Sequence, residues 1–283
     1  MEHAIRKWWP VFLLPTLAAF IIGFLAPFAQ GLYLSFCRFT TVTSAQWVGF
    51  SNYIQALRDS QFHHAFGFTV LFTIVSTVLI NILGFSVALA LTRGIRGTNG
   101  FRAVFFMPNL IGGIVLGYIW NILLNGALSL AGKPLLALNT TAGFWGLIVL
   151  MCWQQIGYMM IIYIAGLQSI PGELLEAARI DGAGPWQTLL RVKLPNVMPS
   201  VTICLFLTLT NSFKLFDQNL ALTRGEPNHA TEMLAYNIYR TFYDRSGAGW
   251  KGIGQAKAVL FCILVVAISM LQLRATRAKE VQQ

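Results

Sequence analysis

Long apolar runs alternate with short polar intervals along the whole chain. Apolar residues dominate 11–36, roughly 65–91, 102–124, 144–167, 199–222 and 256–273. Each run supplies the ~20 residues that a helix needs to cross a bilayer. The pattern predicts an all-α polytopic membrane protein with six spanning helices and both ends on one side. Pro15 and Pro27 predict kinks in the first span. That run follows Arg6-Lys7-Trp8-Trp9 and is longer than the ~7–15 residues of a signal-peptide core, so it reads as a retained span with Trp8 and Trp9 at the interface.

One polar interval, 169–195, reads as ordered helix on both sides of a turn. Pro171 suits a first helical position and Gly182 a helix stop. Leu174, Leu175, Ala177, Ala178 and Ile180 give the first helix an apolar side. Pro185 suits the start of a second helix over 186–192, which Pro195 should end.

Composition fits the membrane reading. The chain of 283 residues is 56% hydrophobic and 11% charged, against ~25% charged in a soluble domain. The net charge of +10 could suggest nucleic acid. The basic residues sit at span ends, however, and a positive-inside pattern explains them better. Arg6, Lys7, Arg93, Arg96, Arg179, Arg191 and Lys193 crowd short segments on one side, whereas Arg38, Lys133, Arg224 and Arg245 are spread through longer loops on the other. That places both termini and the interval 169–195 in the cytoplasm. Cys37, Cys152, Cys204 and Cys262 lie in apolar contexts without CxxC spacing and read as free, with no metal site. There is no GxxxxGK[ST] loop, so the chain has no ATPase site of its own.

Polar residues inside spans are the candidates for substrate contact. Asn81 lies mid-span and needs a helix partner. Trp153-Gln154-Gln155 sits near the middle of the fourth span, and Tyr158 shares a face with Gln154. Thr208, Asn211 and Ser212 share one side of the fifth span, and Lys214 and Asp217 follow at a spacing that suits a pair. Amides, hydroxyls and flat rings suit an uncharged, hydroxyl-rich ligand. The same residues can equally serve to join helices. Gly112, Gly113 and Gly117 in the third span would allow close helix approach.

Glu176-Ala177-Ala178, then Gly182 preceded by Asp181, then Leu194-Pro195, resemble the EAA loop of permease subunits of binding-protein-dependent ABC importers. Gly49-Phe50-Ser51-Asn52-Tyr53, Phe213-Lys214-Leu215-Phe216-Asp217-Gln218 and Thr223-Arg224-Gly225-Glu226-Pro227 are similar to segments of the sugar-permease branch, related to maltose and glycerol-phosphate importers. The resemblance covers nearly the whole chain. It implies a type I importer permease: one transmembrane domain over 1–283, with 169–195 as the coupling loop. In that family the loop sits in a groove of the ATPase. Glu176, Ala177, Ala178, Asp181, Gly182, Leu194 and Pro195 are then the coupling residues. The resemblance also implies that Asn109, Gln154, Gln155, Tyr158, Thr208 and Ser212 lie where such permeases line their sugar site.

The implied function is import of a sugar, a di- or oligosaccharide, delivered by an extracellular binding protein across a bacterial cell membrane. The implied partners are a second, homologous permease and two ATPase subunits, which would hold ATP and Mg; this chain would hold no cofactor. A sugar phosphate ester or polyol is the alternative cargo. A secondary transporter would instead call for inverted repeats and charged coupling residues within the spans, and no such repeat is evident.

Overall fold

The computed structural model describes residues 2–94, 96–247 and 249–277. The chain opens with α1 (Glu2–Phe20), a widened π-type stretch (Ile21–Leu25) and α2 (Ala26–Ser35). α1 continues through Pro15. The departure from α geometry comes at the π stretch, where the Ala26 N–H donates to the Ile21 carbonyl five residues back. Pro27 lacks an N–H and crowds the carbonyl four residues earlier, so the turn it would have closed opens out. A two-stranded antiparallel ribbon follows, β1 (Cys37–Arg38) with β2 (Gln46–Trp47). Next come α3 (Ser51–Arg58), α4 (Ser60–Leu91), α5 (Thr98–Phe106), α6 (Gly113–Leu130) and α7 (Thr140–Gln168). Asn139 caps α7, its side-chain oxygen accepting from the Ala142 N–H at 3.1 Å.

The interval between the fourth and fifth spans holds α8 (Gly172–Ile180), α9 (Pro185–Gln187), a π-type stretch (Thr188–Lys193) and α10 (Leu194–Asn196). The chain then runs through α11 (Met198–Phe213), α12 (Asp217–Leu222), α13 (Leu234–Tyr243) and α14 (Trp250–Arg277).

Among the described residues, five helices are long and apolar enough to cross a membrane. A sixth counts if the segment Pro185–Asn196 and α11, bent by 72°, are taken as one. Two of the expected spans are broken. The third divides into α5 and α6 across a 3-10 turn at Met107–Leu110. The fifth stops at Phe213 and resumes as α12 after the non-helical Lys214–Phe216. α11 has 16 residues, about 24 Å at ~1.5 Å per residue, short of a ~30 Å hydrocarbon core.

The single domain expected over 1–283 is built of two compact units, Met1–Ser60 with Ile238–Cys262 and Gln61–Asn237 with Ile263–Gln283. The first has a small core of Leu34, Cys37 and Phe39, packed by Phe242. The second holds the large core, centred on α4 and α7 with Phe72, Ile80, Leu147, Met151, Met159 and Tyr163.

Polar pairing fastens three helices of the second unit. Asn81 on α4 donates to Thr208 Oγ1 on α11 at 2.9 Å and accepts from the Tyr163 hydroxyl on α7 at 2.6 Å. Ser76 donates to Ser212 at 2.9 Å. Without water, each of these groups needs its partner. Asn81→Leu is therefore expected to strand the Tyr163 hydroxyl, at a cost of roughly 1–3 kcal/mol. Thermal unfolding in detergent would show it as a lower midpoint than that of the parent.

Candidate functional site

The two breaks in the spans meet at α7. Breaking a helix at membrane depth frees backbone groups, which is tolerated only where protein or a wet cavity receives them. Gln154 receives one: its Nε2 donates to the Ile111 carbonyl, just after the first break, at 3.3 Å. Its Oε1 accepts from Gln218 Nε2 at 2.7 Å. Gln154 therefore ties the broken third span to α12, beyond the break in the fifth.

Beside this link lies a cavity of about 280 Å³ lined by Met151, Gln155, Asn211, Lys214, Leu215, Phe216, Asp217 and Gln218. Gln155 is buried, yet its Oε1 has no hydrogen-bond partner. The Lys214 and Asp217 side chains were expected to pair, and they do not. The non-helical Lys214–Phe216 removes the helical spacing on which that pairing rested, and Asp217 instead opens the first turn of α12. A helix N-terminus favours a carboxylate there. The cavity thus offers the unpaired amide oxygen of Gln155, the amides of Asn211 and Gln218, a cation and an anion.

Of the substrate candidates read from sequence, the structure brings Gln155 and Asn211 to this cavity. Thr208 and Ser212 are fully buried and bonded to α4, and Gln154 is committed to its two partners. These three act as the ties between helices that such residues can also be. Tyr158 packs its ring 6.4 Å from Phe106. Asn109 is half-buried in the 3-10 turn and does not line the cavity. Sequence reasoning missed Gln218 and the cavity-lining roles of Lys214 and Asp217; the only signal was the polar cluster 214–218 inside an apolar run.

Close approach of α6 and α12 shapes this end of the cavity. A Cβ at Gly117 would meet Ala221 Cβ at 2.5 Å, and one at Gly113 would meet Asp217 Cβ at 2.8 Å. Gly112, also expected to serve packing, has nothing within 4 Å and instead precedes α6 as its N-cap.

The interval 169–195 forms the bracket expected. Pro171 is the N-cap of α8, with ψ 132°, and not its first residue. Gly182 has φ +72° and closes α8 by two bonds: its own N–H to Arg179 O at 3.1 Å, and the Ala183 N–H to Ala178 O at 2.9 Å. That is the Schellman pattern. Pro185 opens the second helix, and Gln187 Oε1 reaches back to the Gly184 N–H at 2.9 Å.

Pro195 does not end that helix. The Leu194 N–H bonds to Leu189 O five residues back, and the chain stays helical to Asn196. The widened π turn absorbs the bond that Pro195 cannot make. Glu176, Ala177 and Asp181 are exposed, Leu194 and Pro195 half-buried, and Ala178 is the buried member facing its own chain. Ile180 and Trp186 stand 86% and 74% exposed, with Leu174 and Leu190 beside them in sequence order along the bracket. A second cavity, about 650 Å³, separates the bracket from the end of α4 and is lined by Arg93, Arg179, Lys193, Leu175, Trp186 and Leu189 among others.

Discontinuous spanning helices around a polar cavity, with an ordered helical bracket between two spans, define a membrane transport component. The chain matches the family of binding-protein-dependent transport system inner membrane components over residues 83–278, and it belongs to that family. It is 40% identical over 282 residues to the probable starch degradation products transport system permease protein AmyD of Thermoanaerobacterium thermosulfurigenes, covering 97% of this chain and 96% of that protein. It is 33% identical over 291 residues to the multiple sugar-binding transport system permease protein MsmF of Streptococcus mutans, covering 99% of each. Its fold is that of a chain in the crystal structure of a bacterial ABC transporter involved in the import of the acidic polysaccharide alginate, with a TM-score of 0.83 at 21% identity over 98% of both chains. The fold is thus that of a type I importer permease.

Proposed function

We propose that this chain is the permease subunit of an ABC importer that passes an oligosaccharide through the cavity at Gln155. The observation that carries the reading is the buried, unpartnered Oε1 of Gln155, a residue that lines one cavity with Asn211, Lys214, Asp217 and Gln218 at the break in the fifth span. A buried acceptor left unmade is costly unless a ligand or water meets it. A sugar offers hydroxyl donors to Gln155 and Asp217 and acceptors to Lys214 and the amide N–H groups. The names of the relatives, one for starch degradation products and one for multiple sugars, support the same cargo class. A sugar phosphate ester fits the set less fully, because Asp217 disfavours a second anion.

The partners of this reading are a second homologous permease, two ATPase subunits that hold ATP and Mg, and an extracellular binding protein. Both termini and the bracket lie in the cytoplasm, with the bracket seated in the ATPase groove. Glu176 meets a basic rim there, and Ile180 and Trp186 supply apolar contact.

The test is uptake of labelled maltooligosaccharide by proteoliposomes holding the whole complex, with Gln155→Leu and Asn211→Leu. Each removes one hydrogen-bonding group of ~0.5–1.5 kcal/mol, so each should slow uptake several-fold while basal ATP hydrolysis persists. Unchanged uptake in both variants would put the sugar path elsewhere.

A further inference from the structure

Helix α3 carries three distinct faces. Asn52 and Ala56 turn inward, 2% and 0% exposed. Asn52 Nδ2 donates to the Ser35 and Cys37 carbonyls at 2.9 Å each, and α14 lies so close that a Cβ at Gly252 would meet Asn52 Nδ2 at 2.6 Å. Just past the helix end, Asp59 binds Lys257 at 2.8 Å and Arg245 at 3.3 Å. These contacts fix the rotation of α3 about its own axis. As a result Phe50, Ile54 and Leu57 point outward together, 68%, 50% and 54% exposed. Ser51, Gln55 and Arg58 form a third, exposed and polar face. At the ~100° per residue of an α-helix, the three faces lie about a third of a turn apart.

A helix wholly in water has no use for the apolar face, and one wholly covered by protein has none for the polar strip. Apolar, polar and protein-facing sectors on one short helix match the boundary between lipid and water. The chain's own connectivity puts α3 at that boundary. It follows the first span, Leu13–Ser35, almost none of which is buried inside the chain. Phe36, the residue that ends the span, stacks on Trp47 at 5.2 Å and meets Phe50 edge-on at 5.4 Å, while Tyr33 lies 5.9 Å from Trp47. Trp and Tyr concentrate at this level of a bilayer.

We propose that Trp47 to Arg58 is an interfacial anchor: α3 lies along the membrane surface where the first span leaves the bilayer, with Phe50, Ile54 and Leu57 in the lipid and Ser51, Gln55 and Arg58 in water. Because Asp59 binds Lys257 of α14, the anchor sets the depth of the last span as well as the first. The inference rests on the first span crossing the bilayer, and not on the cargo.

The test uses single spin labels in the assembled complex in phospholipid nanodiscs, with Cys262→Ala and the three buried cysteines retained. Labels at 54 and 57 should collide more with oxygen than with a water-soluble nickel chelate, approaching the ratio of a lipid control at 22. Labels at 51 and 55 should show the reverse. Chelate-dominated collisions at 54 and 57 would place the face in water, and protection from both reagents would place it under a protein partner; either result overturns the proposal. If the control at 22 is itself not lipid-exposed, the span reading fails and the anchor with it.

Discussion

Gly182→Val is expected to detach or uncouple the ATPase subunits while the spans still insert. Gly182 adopts φ +72° and has no atom within 4 Å of a built Cβ, so the bracket has room for a side chain and the difficulty is conformational. A left-handed residue with a Cβ costs roughly 1–2 kcal/mol, and a β-branched one more. If the chain escapes that cost, the two bonds that close α8 at Arg179 and Ala178 are lost, and Ile180 and Trp186 no longer hold their places on the exposed face. Gly182→Asn is the control, because Asn tolerates this region. Co-purification of the ATPases should fall with Val and persist with Asn. Equal loss with both would point to contact at Gly182 itself, and no loss with Val would separate the bracket from ATPase binding.

Gly117→Val is expected to give the opposite phenotype: ATPases still bound, sugar uptake abolished. Even a Cβ at 117 would lie 2.5 Å from Ala221 Cβ and 3.4 Å from α12 backbone. Overpacking of this kind costs ~1–3 kcal/mol and is relieved by backbone shifts. The clash pushes α6 and α12 apart, and α12 carries Gln218 and Asp217. Its displacement would part Gln218 from Gln154, open the cavity and leave the Ile111 and Gln154 link unsupported. Proteoliposome uptake and ATPase co-purification, measured on one preparation, distinguish this from global unfolding. Retained uptake would mean that the packing of α6 against α12 does not shape the path.

The bracket was legible in the sequence because its signals are local. A Gly at a left-handed stop, a Pro at a first turn and a three-residue motif need no tertiary context. Asn81 was legible as a residue in want of a partner, though which partner was not. The breaks in the spans were hidden for a physical reason: Ile111, Leu215 and Phe216 are as apolar as the helical residues of their spans, and hydropathy averaged over a whole span does not register a few residues that leave the helix. Lys214 and Asp217 read as a helical pair for the same reason. Thr208 and Ser212 resemble Gln155 and Asn211 in chemistry. Only the positions of Asn81 and Ser76 on another helix decide that the first two are ties between helices while the other two face a cavity. Pro195 misled because a π turn upstream absorbed its missing bond.

Photo-crosslinking from the bracket in the assembled transporter asks whether 169–195 meets the ATPase. A crosslinking residue at Ile180 or Trp186 should capture an ATPase subunit, and capture should change between nucleotide-free and ATP-bound states; one at Gln55 should capture none. Failure of both bracket positions to reach an ATPase in either state would contradict the assignment of 169–195 as the coupling element.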